Sequence, residues 1–427
     1  MREPNSNAAI SQADDAAVQS QASDTVRNSQ AADALALSQA ADAVVLLQEL
    51  PAAGGRRIGL AILNVPKALH ALNPEMISLL DTALQRWAQD PAIACVVLRS
   101  STDKAFCAGG DVRSLRSAIL AAPGLVPNPQ AQAFFGDEYR LDYRIHTYPK
   151  PLLVWGNGFV MGGGLGLLAG ASHRVVCDNT RIAMPETAIG LFPDVGGSWF
   201  LPRMPGRTGL FLGLTGAAMN APDAVFAGLG DYVIAHQAQA EVMAALCCIN
   251  WGEQKSPDGQ ARNASWHVKP DAFALLDAAL HPFCLPAATL PPSSLRTHFD
   301  AIQALTAGRS LAQVIESISG YAGDDVWLQG AAQAVQRAAP SSLALVWALQ
   351  ERARHLGLAD VFRLELILAL RCCAYPDFAE GVRALLVDKD QAPHWQRMPA
   401  TGSAAHAALL DDFFTAPWLQ HPLADLV

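Results

Sequence analysis

Four segments of this chain carry residue types and spacings suited to chemistry, one of them Glu138-Tyr139 on the helix expected at 131–145. Lys104-Ala-Phe-Cys-Ala-Gly-Gly-Asp111 follows the apolar run ACVVLRS. Gly156-Asn-Gly-Phe-Val-Met-Gly-Gly-Gly164 follows the apolar run PLLVW. MPETAIGLFPDVGG, from Met184 to Gly197, holds Glu186 and Asp194 among apolar neighbours. Glycine-rich turns let a backbone N–H approach a ligand with no Cβ in the way. Two such groups converging on one oxygen form an oxyanion hole, and losing one donor costs about 2.7–4 kcal/mol of transition-state stabilisation. The GGG turn also opens a helix, so its N–H groups sit at the positive end of a helix dipole. A carboxylate in apolar surroundings is either paired or functional. Beside a polarised carbonyl it serves as general base on water or as nucleophile.

Each segment has a plainer reading when taken alone. FCAGGD is then a strand, a turn and a helix start capped by Asp111. GNGFVMGGG is close helix packing or a nucleotide loop, since PLLVW, G-x-G and Asp178 loosely imitate a dinucleotide fingerprint without its third-glycine spacing. Glu138, beside Tyr139, is a solvated helix residue, and Asp194 between Pro193 and Val195 is a turn residue.

The elements around these segments alternate. AVVLLQEL and RRIGLAILN read as strands joined by PAAGG. NPEMISLLDTALQRWAQD has helical apolar spacing, with Asn73 as N-cap and Pro74 at the first helical position. ACVVLRS, PLLVWGNG and HRVVCD read as buried strands, 131–145 as a helix, and MGGGLGLLAGA as a glycine-rich helix. The pattern predicts an α/β layer architecture. Residues 1–42, rich in Ala, Gln, Ser and Asp, are expected to form a low-complexity tail, and 43–235 the core. Residues 236–299 are expected to connect it to a helical region at 300–397, with 398–427 a second tail.

Bulk composition narrows the class. Of 427 residues, 51% are hydrophobic and 16% charged, enough for a large core. Net charge is −9 with no long Lys/Arg run, which argues against a nucleic-acid surface. The eight cysteines show no C-x-x-C spacing, so neither a zinc site nor a disulfide framework is expected. The first 30 residues contain acidic groups and no apolar stretch, unlike a secretory signal or an Arg-rich transit peptide. No apolar run reaches the roughly 18–20 residues of a membrane span. A cytoplasmic protein without membrane attachment is the expectation, with self-association left open.

In this order, the segments resemble the crotonase (enoyl-CoA hydratase/isomerase) superfamily. The resemblance implies a β-β-α spiral fold with a C-terminal helical region. It implies an acyl-CoA substrate, coenzyme A being part of that substrate, and no separate cofactor or metal. Gly110 and Gly163 then supply the oxyanion N–H groups. The early turn Val65–Leu72, with Lys67 and Ala68, lies near the CoA adenine, and Ala108, Gly109 and Asp111 complete the CoA contacts. Hydratases of this superfamily carry a second glutamate two residues after the GGG, where this chain has Gly166. The 3-hydroxyisobutyryl-CoA hydrolase subgroup instead keeps Pro185-Glu186-Thr187, an aspartate in Phe192-Pro193-Asp194-Val195-Gly196-Gly197, and Glu138-Tyr139. Phe378-Ala-Glu380-Gly-Val-Arg383 through Asp388-Lys389-Asp390 and Pro393-His-Trp395 resembles its C-terminal signature. The chain departs from that subgroup at Glu365-Leu366-Ile367 and at Pro376-Asp377-Phe378. The resemblance implies thioester hydrolysis in valine catabolism. Glu186 and Asp194 are then the catalytic carboxylates, and Glu138, Gly163, Glu186 and Asp194 bind substrate. A hydratase or isomerase, or a CoA-binding protein without catalysis, are the alternatives.

Overall fold

A computed structural model describes residues 43–251 and 270–427. The expected tail at 1–42, and 252–269 of the expected connection, lie outside the described residues.

The first two strands, β1 (Val45–Ala52) and β2 (Arg56–Leu63), form the antiparallel hairpin that PAAGG implies. Beyond them the chain enters a spiral. Each turn lays one long strand in a large sheet and one short strand in a small sheet. The pairs are β3 (Ile93–Ser100) with β4 (Ala105–Cys107), β5 (Leu152–Gly156) with β6 (Phe159–Met161), and β7 (His173–Cys177) with β8 (Arg181–Ala183). With β9 (Tyr232–Ile234) the large sheet has the order β1-β2-β3-β5-β7-β9, parallel after the first pair. The small sheet is β4-β6-β8, all parallel. This is the crotonase-type β-β-α spiral.

Helices fill the crossovers. Helix α1 (Pro74–Gln89) starts where Asn73 accepts the Met76 N–H at 2.8 Å, with Pro74 at the first helical position. Helices α2 (Val112–Ala121), α3 (Pro129–His146) and α4 (Gly163–Ala169) follow. Period-two alternation along the strands separates two cores. Leu63, Val96, Leu98, Leu152, Val154 and Val176 face the helices of the spiral. Ile58, Leu60, Ile62, Val97, Leu153, Trp155 and Val175 face the other way.

That second face is covered by the segment expected as a connection. Its helices α5 (Gln239–Cys248) and α6 (Pro270–Leu280) bury Val242, Leu246, Leu276 and Leu280 against it. The parallel strands are apolar on both faces, so a second helical layer is required. The C-terminal helices are α7 (Leu311–Ser319), α8 (Val326–Arg337), α9 (Pro340–Arg352), α10 (Leu358–Ala374) and α11 (Pro376–Val382). Helix α10 packs along α3, where Phe362 meets Tyr139 and Tyr143. Residues 398–427, expected as a tail, are docked on these two helices. Phe413 and Leu423 are buried, Arg140 forms a fork with Asp425 at 2.6 and 2.7 Å, and Arg371 pairs with Asp412 at 2.9 Å. Two apolar anchors, one forked arginine pair and one single pair hold a segment whose helical apolar pattern is short.

Candidate active site

The small parallel sheet decides where the glycine turns meet. Cys107 pairs with Val160, and Met161 pairs with Ala183, so three neighbouring strands end side by side. Adjacent strands lie about 4.8 Å apart. The chain therefore leaves them through Ala108–Gly110, Gly162–Gly164 and Met184–Glu186 within a few ångströms of one another. The first turn is pinned by Leu72, whose N–H bonds to the Gly109 carbonyl and whose carbonyl accepts from Asp111, each at 2.8 Å. The second requires glycine at 162, where φ is +47 and a Cβ would stand 2.7 Å from Glu186 Oε1. The same turn opens α4 with no side-chain cap, which leaves its first N–H groups for a ligand.

A cavity of about 170 Å³ lies between these turns. Gly109, Gly110, Gly162 and Gly163 line it together with Glu138, Glu186 and Asp194. Phe134 and Phe135 of α3 and Leu385 and Leu386, just past α11, supply its apolar wall. All three carboxyl groups are buried. Burial holds Glu186 well above the usual carboxylate range, and the charges of Asp194 and Glu138 add to it. Burial, then Asp194, raises Glu138 in the same way. Asp194 is pushed up to about 6 by burial, against the Tyr139 hydroxyl that donates to Oδ2 at 2.6 Å and pulls it down.

The Asp194 turn is strained and is clamped from afar. Val195 has φ +50 and Gly196 +88. A β-branched residue at positive φ costs on the order of 1–3 kcal/mol and persists only when its surroundings enforce it. Here the enforcement comes from α10. The Glu365 carboxyl is fully buried and accepts the Gly196 and Ser198 N–H groups, each at 2.8 Å. Burial pushes Glu365 up to about 8, while those two donors pull it down. Glu365→Gln places an NH₂ against one of the two N–H groups. It is expected to cost about 1–3 kcal/mol, the penalty of a buried unsatisfied donor, seen as a lower urea midpoint at unchanged m-value.

The cavity brings together seven of the residues singled out from the sequence: Ala108, Gly109, Gly110, Glu138, Gly163, Glu186 and Asp194. Lys67 and Ala68 lie outside its lining, on an exposed 3₁₀ turn, Pro66–Ala68. That turn is tied to the site where the Ala108 N–H meets the Leu69 carbonyl at 3.0 Å. Asp111 also lies outside the lining; its carboxyl caps α2 through Ser114 N and Oγ. Taken alone Glu138 reads as solvated, yet it is only 2% exposed, because its carboxyl faces the first turn of α4 at Gly163 and the cavity. The sequence reading missed Asp142 and the Phe134–Phe135 wall, and it noted Glu365 only as a departure from the subgroup pattern. A signal existed for Glu365: one carboxylate inside the apolar run VFRLELILAL. Among the described residues, no helix is long and apolar enough to cross a membrane.

Comparison with known proteins agrees with this geometry. Residues 58–414 match the enoyl-CoA hydratase/isomerase family. The mitochondrial 3-hydroxyisobutyryl-CoA hydrolase of Danio rerio is 36% identical, over 84% of this chain and 87% of its own length. The Homo sapiens protein of the same name is 32% identical, over 79% and 81%. A solved carnitinyl-CoA dehydratase from Mycobacterium thermoresistibile superimposes with TM-score 0.73 and 31% identity, covering 89% of this chain and 98% of that one. An enoyl-CoA hydratase from Rhodobacter sphaeroides 2.4.1 gives 0.70 and 32%, covering 87% and 97%. With the spiral, the paired glycine turns and a match that spans most of its length, this chain belongs to the enoyl-CoA hydratase/isomerase family, the crotonase superfamily.

Proposed function

We propose that the protein hydrolyses a short-chain acyl-CoA thioester, with 3-hydroxyisobutyryl-CoA as the substrate and 3-hydroxyisobutyrate and CoA as products. The observation that carries this reading is the carboxyl set of the cavity. Glu138, Glu186 and Asp194 surround the two glycine turns, while Gly166 offers no side chain where a hydratase has its second glutamate. The names of the Danio rerio and Homo sapiens relatives support the same reaction.

The thioester oxygen is held by the N–H groups of Gly110 and Gly163, which stabilise the charge that develops as the carbonyl is attacked. Glu186 takes a proton from water, or attacks the carbonyl to give a mixed anhydride that water opens. A raised pKa suits it to either base or acid work near neutral pH. Asp194, fixed by Tyr139, and Glu138 hold the substrate hydroxyl. Lys67, Ala68, Ala108, Gly109 and Asp111 flank the path of the CoA moiety. The relatives named above are labelled mitochondrial. A cytoplasmic location for this chain is the alternative to theirs, and cell fractionation decides between the two.

A panel of acyl-CoA esters with free thiol as readout tests the function. 3-Hydroxyisobutyryl-CoA is expected to release CoA faster than acetyl- or butyryl-CoA. The titles of the two solved neighbours favour a second reading, hydration of a double bond. If crotonyl-CoA loses its double bond faster than any ester releases CoA, the hydrolase reading fails. The pH dependence has a definite sign. Asp194 loses its charge as pH falls through about 6, so kcat is expected to drop on the acid side of that value. In Asp194→Asn the component at about 6 should disappear, leaving the acid limb that Glu186 sets.

A further inference from the structure

Glu138, Asp142 and His146 are spaced i, i+4, i+8 on α3 and so share one face of it. Asp142 is fully buried. Glu138 Oε1, both Asp142 oxygens and His146 Nε2 are buried and have no hydrogen-bond partner among the described residues. Helix α4 meets this face with glycines. A Cβ on Gly163 would stand 2.4 Å from Glu138 Oε1, one on Gly166 would stand 2.9 Å from Asp142 Oδ2, and one on Gly170 would stand 2.7 Å from His146 Cδ2. Three glycines at i, i+3 and i+7 thus form a groove, and each opposes one of the three polar side chains. The file begins in the cavity at Glu138. It ends at His146, whose ring is half-buried with Nε2 turned inward.

Buried polar atoms of this kind bind internal water, each such water making about three hydrogen bonds. We infer that Glu138, Asp142 and His146, bridged by internal water in the glycine groove, form a proton path from the cavity to the protein surface, with Asp142 as its middle station. This inference rests on the hydrolase reading. In hydrolysis the C–S bond breaks and a C–O bond forms. One proton of water goes to the departing thiolate, and the carboxylic acid product ionises and releases the other. One proton per turnover must leave a small pocket already crowded with carboxyl groups.

The path takes that proton on Glu138. Asp142 accepts it on one oxygen and gives up its own from the other. His146 accepts on one ring nitrogen and releases from the other. Burial, then the charges of Glu138, Asp194 and Glu365, hold Asp142 well above the usual carboxylate range, toward the protonated form a relay carboxyl needs. Burial, with Arg174 nearby, holds His146 at about 4, so it passes a proton without trapping it. Cys107 on β4 also faces Glu138 and Asp142, and burial keeps its thiol neutral at about 12. Asp142 touches no substrate in this scheme and is a positioning and relay residue.

Asp142→Asn keeps shape and hydrogen bonding but cannot pass a proton. It is expected to lower kcat about tenfold, to leave KM within about twofold, and to raise the solvent isotope effect on kcat. His146→Ala should slow turnover similarly, with imidazole in the buffer restoring it. Unchanged kcat and isotope effect in both variants would overturn the path. A second measurement needs no substrate. Wild-type protein should show a buried protonated-carboxyl infrared band that Asp142→Asn removes. On transfer to D₂O that band should shift about tenfold more slowly in His146→Leu than in wild type, as loss of a positioned acid–base group implies. An equal exchange rate sinks the path even if the protein hydrolyses its ester. Wild-type protein that releases no CoA sinks the hydrolase reading, while the exchange rates still decide the path.

Discussion

Glu186→Gln is expected to lower kcat by about 10²–10⁴-fold, the usual worth of a positioned acid or base, with KM little changed. Glutamine matches the shape of the residue but neither accepts the proton nor attacks the carbonyl. The local fold should survive. The 3₁₀ turn at Glu186–Ile189 is closed by Gly190 in the left-handed region and by the Leu191 N–H on the Glu186 main-chain carbonyl, neither of which involves the carboxyl. Stability should not fall at neutral pH. A carboxyl whose folded-state pKa is raised makes the native state hold protons more tightly than the unfolded chain does. Its contribution therefore worsens as pH rises above the unfolded value near 4.3. A neutral glutamine removes that penalty, so the urea midpoint at pH 7 should be equal or higher. A variant with near-normal CoA release and a wild-type midpoint would remove Glu186 from the mechanism.

Gly163→Ala is expected to cost about 10²–10³-fold in kcat, the effect of losing one oxyanion donor. The reason is space, not backbone strain. The new methyl would stand 2.4 Å from Glu138 Oε1 and 3.3 Å from Leu72 Cδ1. Contacts under 3 Å are not tolerated, so either Glu138 swings out of the cavity or the first turn of α4 retreats and carries its N–H away. The two outcomes separate experimentally. Retreat of α4 slows every ester in the panel alike. Displacement of Glu138 slows the hydroxylated ester most and narrows its advantage over butyryl-CoA. A variant within tenfold of wild type on all esters would mean that the Gly163 N–H does not meet the thioester oxygen.

The chain announces its local devices clearly. Asn73-Pro74 reads as a helix start because the cap and the fixed proline φ are satisfied within one turn. The long strands of the spiral are legible as short apolar runs, and both glycine-rich turns as breaks placed after them, whereas the short strands Phe159–Met161, Arg181–Ala183 and Tyr232–Ile234 are not legible. Glu186 and Asp194 stand out because two carboxylates in MPETAIGLFPDVGG have no local partner. Asp111 shows the limit of such reading. Its capping role is local, while the CoA contact implied for it depends on distant parts of the fold.

Glu138 and Glu365 show the same limit from the other side. The helical pattern of α3 marks neither Glu138 nor Asp142 as buried, because what covers them is the glycine face of α4 and the cavity wall, which only the fold brings there. Glu365 clamps Gly196 from 169 positions away, and no periodicity links the two. Docking of residues 398–427 on α3 and α10 is of this kind as well.

By itself, then, the sequence determined which turns free their N–H groups, which carboxylates lack local partners, and that strands and helices must layer. Those properties follow from short-range sterics and hydrogen bonding, which neighbouring residues settle. The tertiary structure alone decided that the turns converge, that Glu138 joins Glu186 and Asp194 in one cavity, and that Glu365 holds the Val195 turn in strain. Convergence depends on the register of three short parallel strands and on helix packing across the whole chain. Such long-range pairings are chosen by total burial, which no local window contains.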